Sequence, residues 1–158
     1  DGGFMSYDSI GVGAHTGSTL KGKGKRNHAK FNAGDAVFKP DSKYKGVVTN
    51  KQKFENLKAQ AWQDVADRLR NTYNAVNKGA KFNPSDLISI SSDIKGIEAL
   101  KSELCSPHKS YSKRGLDMVE QKDSMKKRGI KSPNKADAFI MGACPHLVKA
   151  KLVRLNID

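Results

Sequence analysis

Two carboxylates in this chain stand where a fold can hold them still, and paired carboxylates on rigid elements are what a divalent cation requires. Asp137 follows Ser132-Pro133-Asn134-Lys135-Ala136. Ser132 suits a helix N-cap and Pro133 the first helical position, so Ala138, Phe139, Ile140 and Met141 carry the helix inward and Asp137 falls in its first turn. Asp8 closes the apolar segment Phe4-Met5-Ser6-Tyr7 and is followed by Ser9-Ile10-Gly11-Val12-Gly13, the pattern of a buried strand that opens into a tight turn. Together the two acids would offer hard oxygen ligands to Mg²⁺ or Mn²⁺, and a pair of such ions activates a water and stabilises the leaving oxygen in phosphodiester cleavage. A nearby lysine would orient that water or offset phosphate charge, and Lys122 is the candidate. From spacing alone Asp8 also reads as a turn former and Asp137 as a helix-dipole partner.

The elements that must position these residues are partly legible. Beyond the first strand, residues 11 to 26 are rich in Gly and Lys, which weakens a helix and predicts a short or irregular one. Residues 30 to 38 predict a second strand broken by a turn at Asn32-Gly34, and 40 to 50 a loop. Phe54, Leu57, Ala61, Trp62, Val65, Ala66, Leu69, Tyr73 and Val76 recur at helical spacing, which predicts a long amphipathic helix over 54 to 78 with Gly79 as its stop. Trp62 and Tyr73 lie on that stripe and read as core. Leu87, Ile88 and Ile90 form either a short buried strand or part of the next helix face. That next helix carries Ile94, Ile97, Leu100 and Leu104, with Asp93 able to cap it and an end near Cys105. Residues 108 to 121 predict a hairpin tipped by Ser112-Lys113-Arg114-Gly115. One helical turn over 124 to 127 precedes Gly129, and Pro145 would stop the helix that carries Asp137.

The chain of 158 residues fits one domain, 1–145, with a basic tail over 146–158. Its 29 Lys and Arg against 16 Asp and Glu leave a formal charge of +13, which favours polyanions, nucleic acid first and acidic membrane surfaces second. The excess is clustered. Residues 21 to 53 hold ten basic and two acidic side chains, and 109 to 135 hold nine and three. Lys113 and Arg114 at the hairpin tip, with Lys126, Lys127 and Arg128, are the candidate DNA contacts; the plain alternative is a solvated face. Cys105 and Cys144 lack any paired metal or disulfide spacing and predict reduced thiols, as in a cytosol. No apolar run approaches the roughly 18 residues that span a bilayer, and no signal-peptide pattern opens the chain.

Other motifs fall short. Gly17-Ser18-Thr19-Leu20-Lys21-Gly22-Lys23 satisfies most of a phosphate-binding loop, but Gly24 stands where a hydroxyl must reach magnesium. Gly11-Val12-Gly13 with Gly17 is off the dinucleotide spacing by one residue. His15, His28, His108 and His146 lack metal-ligand spacing, and no Ser or Cys sits in a nucleophile elbow, so a covalent hydrolytic route is unsupported.

Three segments, in order, resemble one family: Tyr7-Asp8-Ser9-Ile10-Gly11-Val12-Gly13-Ala14; Asn56-Leu57-Lys58-Ala59-Gln60-Ala61-Trp62 with Ala66-Asp67-Arg68-Leu69-Arg70; and Lys127-Arg128-Gly129-Ile130 with Ser132-Pro133-Asn134-Lys135-Ala136-Asp137-Ala138-Phe139. They are similar to the C-terminal nuclease domain of the large terminase subunit of tailed bacteriophages, over about residues 4 to 143. The resemblance implies an α/β, RNase H-like fold whose acids bind two Mg²⁺ or Mn²⁺ ions and cut concatemeric double-stranded DNA during packaging, in the host cytoplasm. It implies as partners the ATPase domain of the same full-length protein, the small terminase subunit and the portal, and no membrane. Carried over by position, Asp8 is the second metal-binding acid, Asp137 the last, Lys122 the family's lysine, and 109 to 120 the hairpin beside the site. The family's first acid lies on an earlier strand that this chain does not contain, and Asp1, followed by Gly2 and Gly3, does not replace it. The expectation is thus a fold truncated at its N-terminal strands, with an incomplete metal site, an open sheet edge and doubtful activity as a fragment alone. A non-catalytic, basic DNA-binding module is the alternative, and a nucleotide-binding domain built on 11 to 23 a third reading.

Overall fold

Helix formation starts where local chemistry is least ambiguous. The Asn56 side chain accepts a hydrogen bond from Ala59 N at 3.0 Å, and Gly79 adopts a left-handed conformation (φ 64°), so the longest helix is bounded as Leu57–Lys78. The computed structural model describes residues 5–9, 15–24 and 28–144. In chain order these form β1 (Met5–Asp8), α1 (Thr16–Gly22), β2 (His28–Phe31), β3 (Lys43–Tyr44), β4 (Val48–Thr49), α2 (Asn50–Lys53), α3 (Leu57–Lys78), α4 (Ile97–Cys105), β5 (Lys109–Tyr111), β6 (Asp117–Val119), α5 (Lys122–Lys127) and α6 (Asn134–Ala143). A turn of 3-10 helix, Pro84–Asp86, lies between α3 and α4. The residues 1–4, the turn expected at Gly11 and Gly13, the stop at Pro145, and the tail 146–158 lie outside the described residues.

β1 and β2 run parallel, with Asp8 opposite Phe31, and α1 lies between them in sequence, as a parallel pair requires a crossover. The other two pairs, β3 with β4 and β5 with β6, are antiparallel hairpins. The hairpin of β5 and β6 falls where the sequence places it, with its tip closed by Ser112 and Gly115. The β3–β4 hairpin was not expected within the loop 40 to 50; Lys45 and Gly46, both at positive φ, make the turn.

The core gathers Phe31 from β2, Leu57, Ala61 and Val65 from α3, and Ile140 and Cys144 from α6 and its end. A smaller cluster of Val37, Phe54 and Ala59 packs with Tyr44. Several expectations need correction. Phe54 is buried but precedes α3 and bridges to Asp117. Tyr73 and Val76 are 58% and 77% exposed, because the last turns of α3 run beyond the core. Residues 87 to 90 form neither strand nor helix; Ile88 N instead bonds the Thr72 hydroxyl at 3.0 Å. Asp93 does not cap α4, whose N-cap is Gly96 in the left-handed region. Gly17, the first glycine of the phosphate-loop look-alike, is helical and lies directly under Tyr7, whose hydroxyl leaves no room for a Cβ. No helix among the described residues is long and apolar enough to cross a membrane.

Candidate active site

Asp8 ends β1 and is held there by the parallel register with β2, where Ser9 N donates to Phe31 O at 3.1 Å. Asp137 occupies the first turn of α6, its own N–H bonded to Pro133 O at 2.8 Å. The two acids, remote in sequence, line one cavity of about 230 Å³. Lys58, Trp62 and Lys122 line it as well, over an apolar floor that includes Phe31 and Ile140.

The start of α6 differs from its expected form. Ser132 does not cap the helix; its hydroxyl turns to Asn134 Oδ1 at 2.8 Å. The open N–H groups of the first turn are taken by a carboxylate from another helix: Glu103 Oε2 accepts from Lys135 N at 2.7 Å and Ala136 N at 3.2 Å. At the other end, Arg68 Nη1 donates to Ala143 O at 2.7 Å. Asp137 is therefore carried by a helix fixed at both ends from α4 and α3.

Two ammonium groups meet the Asp137 carboxylate. Lys58 Nζ lies 2.9 Å from Oδ1 and Lys122 Nζ 3.4 Å from Oδ2. Lys122 opens α5, and the residue that fixes α5 is Glu120. That buried carboxylate accepts from Arg128 Nε at 3.0 Å, His108 N at 3.0 Å and Ser124 Oγ at 2.8 Å. The Arg128 guanidinium first, then the His108 N–H, hold its carboxyl down at about 2.

The proposed DNA contacts divide by partner. Arg128 is committed to Glu120 and to Ser106 O, so it serves the fold. Arg114 rests on Glu55 at 3.0 Å but stays largely exposed at the hairpin tip. Lys113, Lys126 and Lys127 are exposed and form no ion pair among the described residues. The hairpin base is pinned by buried Asp117, which meets Lys53 at 2.7 Å and Lys109 at 3.0 Å. Burial pushes the Asp117 carboxyl upward, and hydrogen bonds from these two lysines outweigh it, leaving the group below its ordinary value. Both thiols are free; burial pushes the Cys144 thiol up.

Sequence reasoning did not single out Lys58, and it assigned Trp62 only to the core. Their spacing puts them on one helix face, since residues four apart are neighbours, but that does not by itself tell a cavity rim from a solvated edge. Lys58 Nζ lies 5.9 Å from the Trp62 ring centre.

As a donor set, two carboxylates on a strand end and a helix start fit a hard dication as part of an oxygen-rich shell. No group of three or more His, Cys, Asp or Glu able to hold a metal occurs among the described residues.

No protein-family profile and no curated protein matches the chain. Solved structures do. The nuclease domain of the large terminase subunit gp2 of bacterial virus Sf6 is similar at 34% identity and a TM-score of 0.80. A lysine-to-alanine mutant of that domain with manganese and beta-thujaplicinol is similar at 32% identity and a TM-score of 0.82, and another lysine-to-alanine mutant structure, with calcium, at 32% and 0.79. Each comparison covers 90% of this chain and 66% of the other.

Proposed function

The chain belongs to the family of nuclease domains of phage large terminase subunits and has their RNase H-like fold, and from that premise we propose that it is a metal-dependent endonuclease of viral DNA packaging. It spans 66% of the length of the solved relatives. The substrate is double-stranded DNA, cut from concatemers by hydrolysis of a phosphodiester. Asp8 and Asp137 hold Mg²⁺ or Mn²⁺, two ions in the complete domain, and the ion supplies Lewis-acid activation of water. Lys122 stands beside Asp137 to offset charge on the phosphate, and exposed Lys113, Arg114, Lys126 and Lys127 take the backbone without reading bases. Arg128 orders α5 rather than touching DNA. The ATPase domain of the full-length protein, the small subunit and the portal are the partners, and the host cytoplasm is the place of action.

The observation that supports this reading is the convergence of Asp8, Asp137 and Lys122 on one cavity. In the full-length protein, Asp137→Asn should abolish Mn²⁺-dependent plasmid cutting and leave the circular dichroism spectrum unchanged; undiminished cutting overturns the assignment. The pairing of Asp137 with two lysines favours one second reading, a DNA-binding module in which the acid is structural. That module would bind DNA with strong salt dependence and no response to metal.

A further inference from the structure

Both oxygens of Asp137 are engaged by ammonium groups from different elements, Lys58 of α3 on Oδ1 and Lys122 of α5 on Oδ2. The two contacts are unequal. The Lys58 side chain is 22% exposed against 56% for Lys122, and it makes the shorter approach. Lys58 is also the better anchored: its backbone N–H donates to Ala33 O at 3.2 Å, in the first turn of a helix capped by Asn56. A hard dication bound to a carboxylate oxygen sits about 2 to 2.5 Å from it. An ammonium group already 2.9 Å from that oxygen occupies the same approach, and two cations so close repel strongly in a half-buried site. Lys58 and Lys122 set two formal positive charges against the single carboxylate of Asp137, so a dication approaching that carboxylate meets repulsion until a lysine withdraws.

We propose that Lys58 is a resident counter-cation that competes with the divalent metal ion for Asp137, setting the metal affinity of the site. The proposal rests on the metal-binding reading of Asp8 and Asp137. It makes Lys58 a positioning residue: it holds the Asp137 carboxylate aimed into the cavity while no metal is bound, and it must swing aside to admit one. The face of Trp62 lies within cation–π range of the same ammonium, 5.9 Å from it, and flanks the Asp137 contact.

Trp62 is the only tryptophan of the chain and lines this cavity, so quenching of its fluorescence by paramagnetic Mn²⁺ reads binding there without any assay of cutting. The 158-residue chain is titrated with Mn²⁺ as wild type and as Lys58→Met, which keeps the aliphatic stem; Lys58→Gln serves as a second neutral variant. Both should bind Mn²⁺ roughly tenfold more tightly, as expected for removing one nearby unit charge at intermediate dielectric. Lys58→Arg should stay near wild type, and Lys81→Met, which removes the same charge from an exposed position that does not line the cavity, should leave Mn²⁺ affinity unchanged. A purely structural Lys58 would give the opposite sign, since loosening the site weakens binding. Equal or weaker affinity in the neutral variants, with wild-type quenching that Asp137→Asn abolishes, overturns the counter-cation and leaves the metal reading standing. Absence of quenching in wild type and neutral variants alike overturns both.

Discussion

Glu120 does not line the cavity of Asp8 and Asp137, yet its carboxylate decides where Lys122 stands. It joins the end of the hairpin, through His108 N, to the first and last turns of α5, through Ser124 and Arg128. Met125, buried beneath α5, anchors the same helix, and Lys122 at its start reaches Asp137. The same contacts hold the carboxyl at about 2, below its ordinary value of 4.5. A carboxyl lowered on folding contributes stability that is complete above its unfolded value and is lost as pH falls through the folded one. The window is therefore pH 4.5 down to about 2. Glu120→Gln should lower the melting temperature at pH 7 and flatten the fall of stability across that window. Some slope will remain, because the carboxyls of Asp67 and Asp117 are also held low by their lysines, against the upward push of burial. Thermal melts at half-unit pH steps measure it; parallel curves for the two proteins would show that the Glu120 charge contributes nothing to the pH dependence of stability.

At the scale of elements, what could be read from the chain was whatever a few adjacent residues settle. Gly79 bounds α3, and Ser112, Gly115 and the flanking alternation mark the hairpin, because caps and tight turns act within four residues; the start of α3, expected at Phe54, falls instead at Leu57 behind the Asn56 cap. The starts of α6 and α4 differ from expectation for the complementary reason. Ser132 carries the right chemistry for a cap, but the first turn of α6 is satisfied from α4 by Glu103, a contact between positions far apart in sequence. Nothing local to Ser132 or Asp93 records that choice. It has a testable weight. Glu103→Ala leaves two N–H groups of a helix start without their acceptor and should cost about 0.5 to 2 kcal/mol, the range of lost N-cap side chains. Glu103→Gln keeps an acceptor oxygen and should cost less than half as much. Denaturant unfolding of the two variants decides it, and an alanine variant as stable as wild type would mean that solvent caps α6 equally well.

For the whole molecule, the amphipathic stripe of α3 announced a core, but not which side of the core would hold the acids. The convergence of Asp8 and Asp137 depends on β1 pairing with β2 and on α6 packing against β1, contacts that no spacing encodes. Only the likeness of three ordered segments to a known family pointed there in advance. Composition, by contrast, was direct: a surplus of +13 must leave cations on the surface. The structure sorts them. Arg128, Lys53 and Lys109 are tied to buried carboxylates, whereas Lys113, Arg114, Lys126 and Lys127 stand exposed on the hairpin tip and α5. If that exposed set meets DNA phosphates, affinity falls with salt, and each contact adds about 0.9 to the slope of log affinity against log salt. Lys113→Ser with Arg114→Ser should therefore reduce that slope by nearly 2, and Lys126→Ser with Lys127→Ser should reduce it similarly. Arg128→Ser should leave the slope unchanged while lowering the melting temperature, since its guanidinium belongs to Glu120. Fluorescence anisotropy with a labelled duplex across a salt series gives all the slopes, and a double variant at the hairpin tip with the wild-type slope would remove that tip from the DNA path.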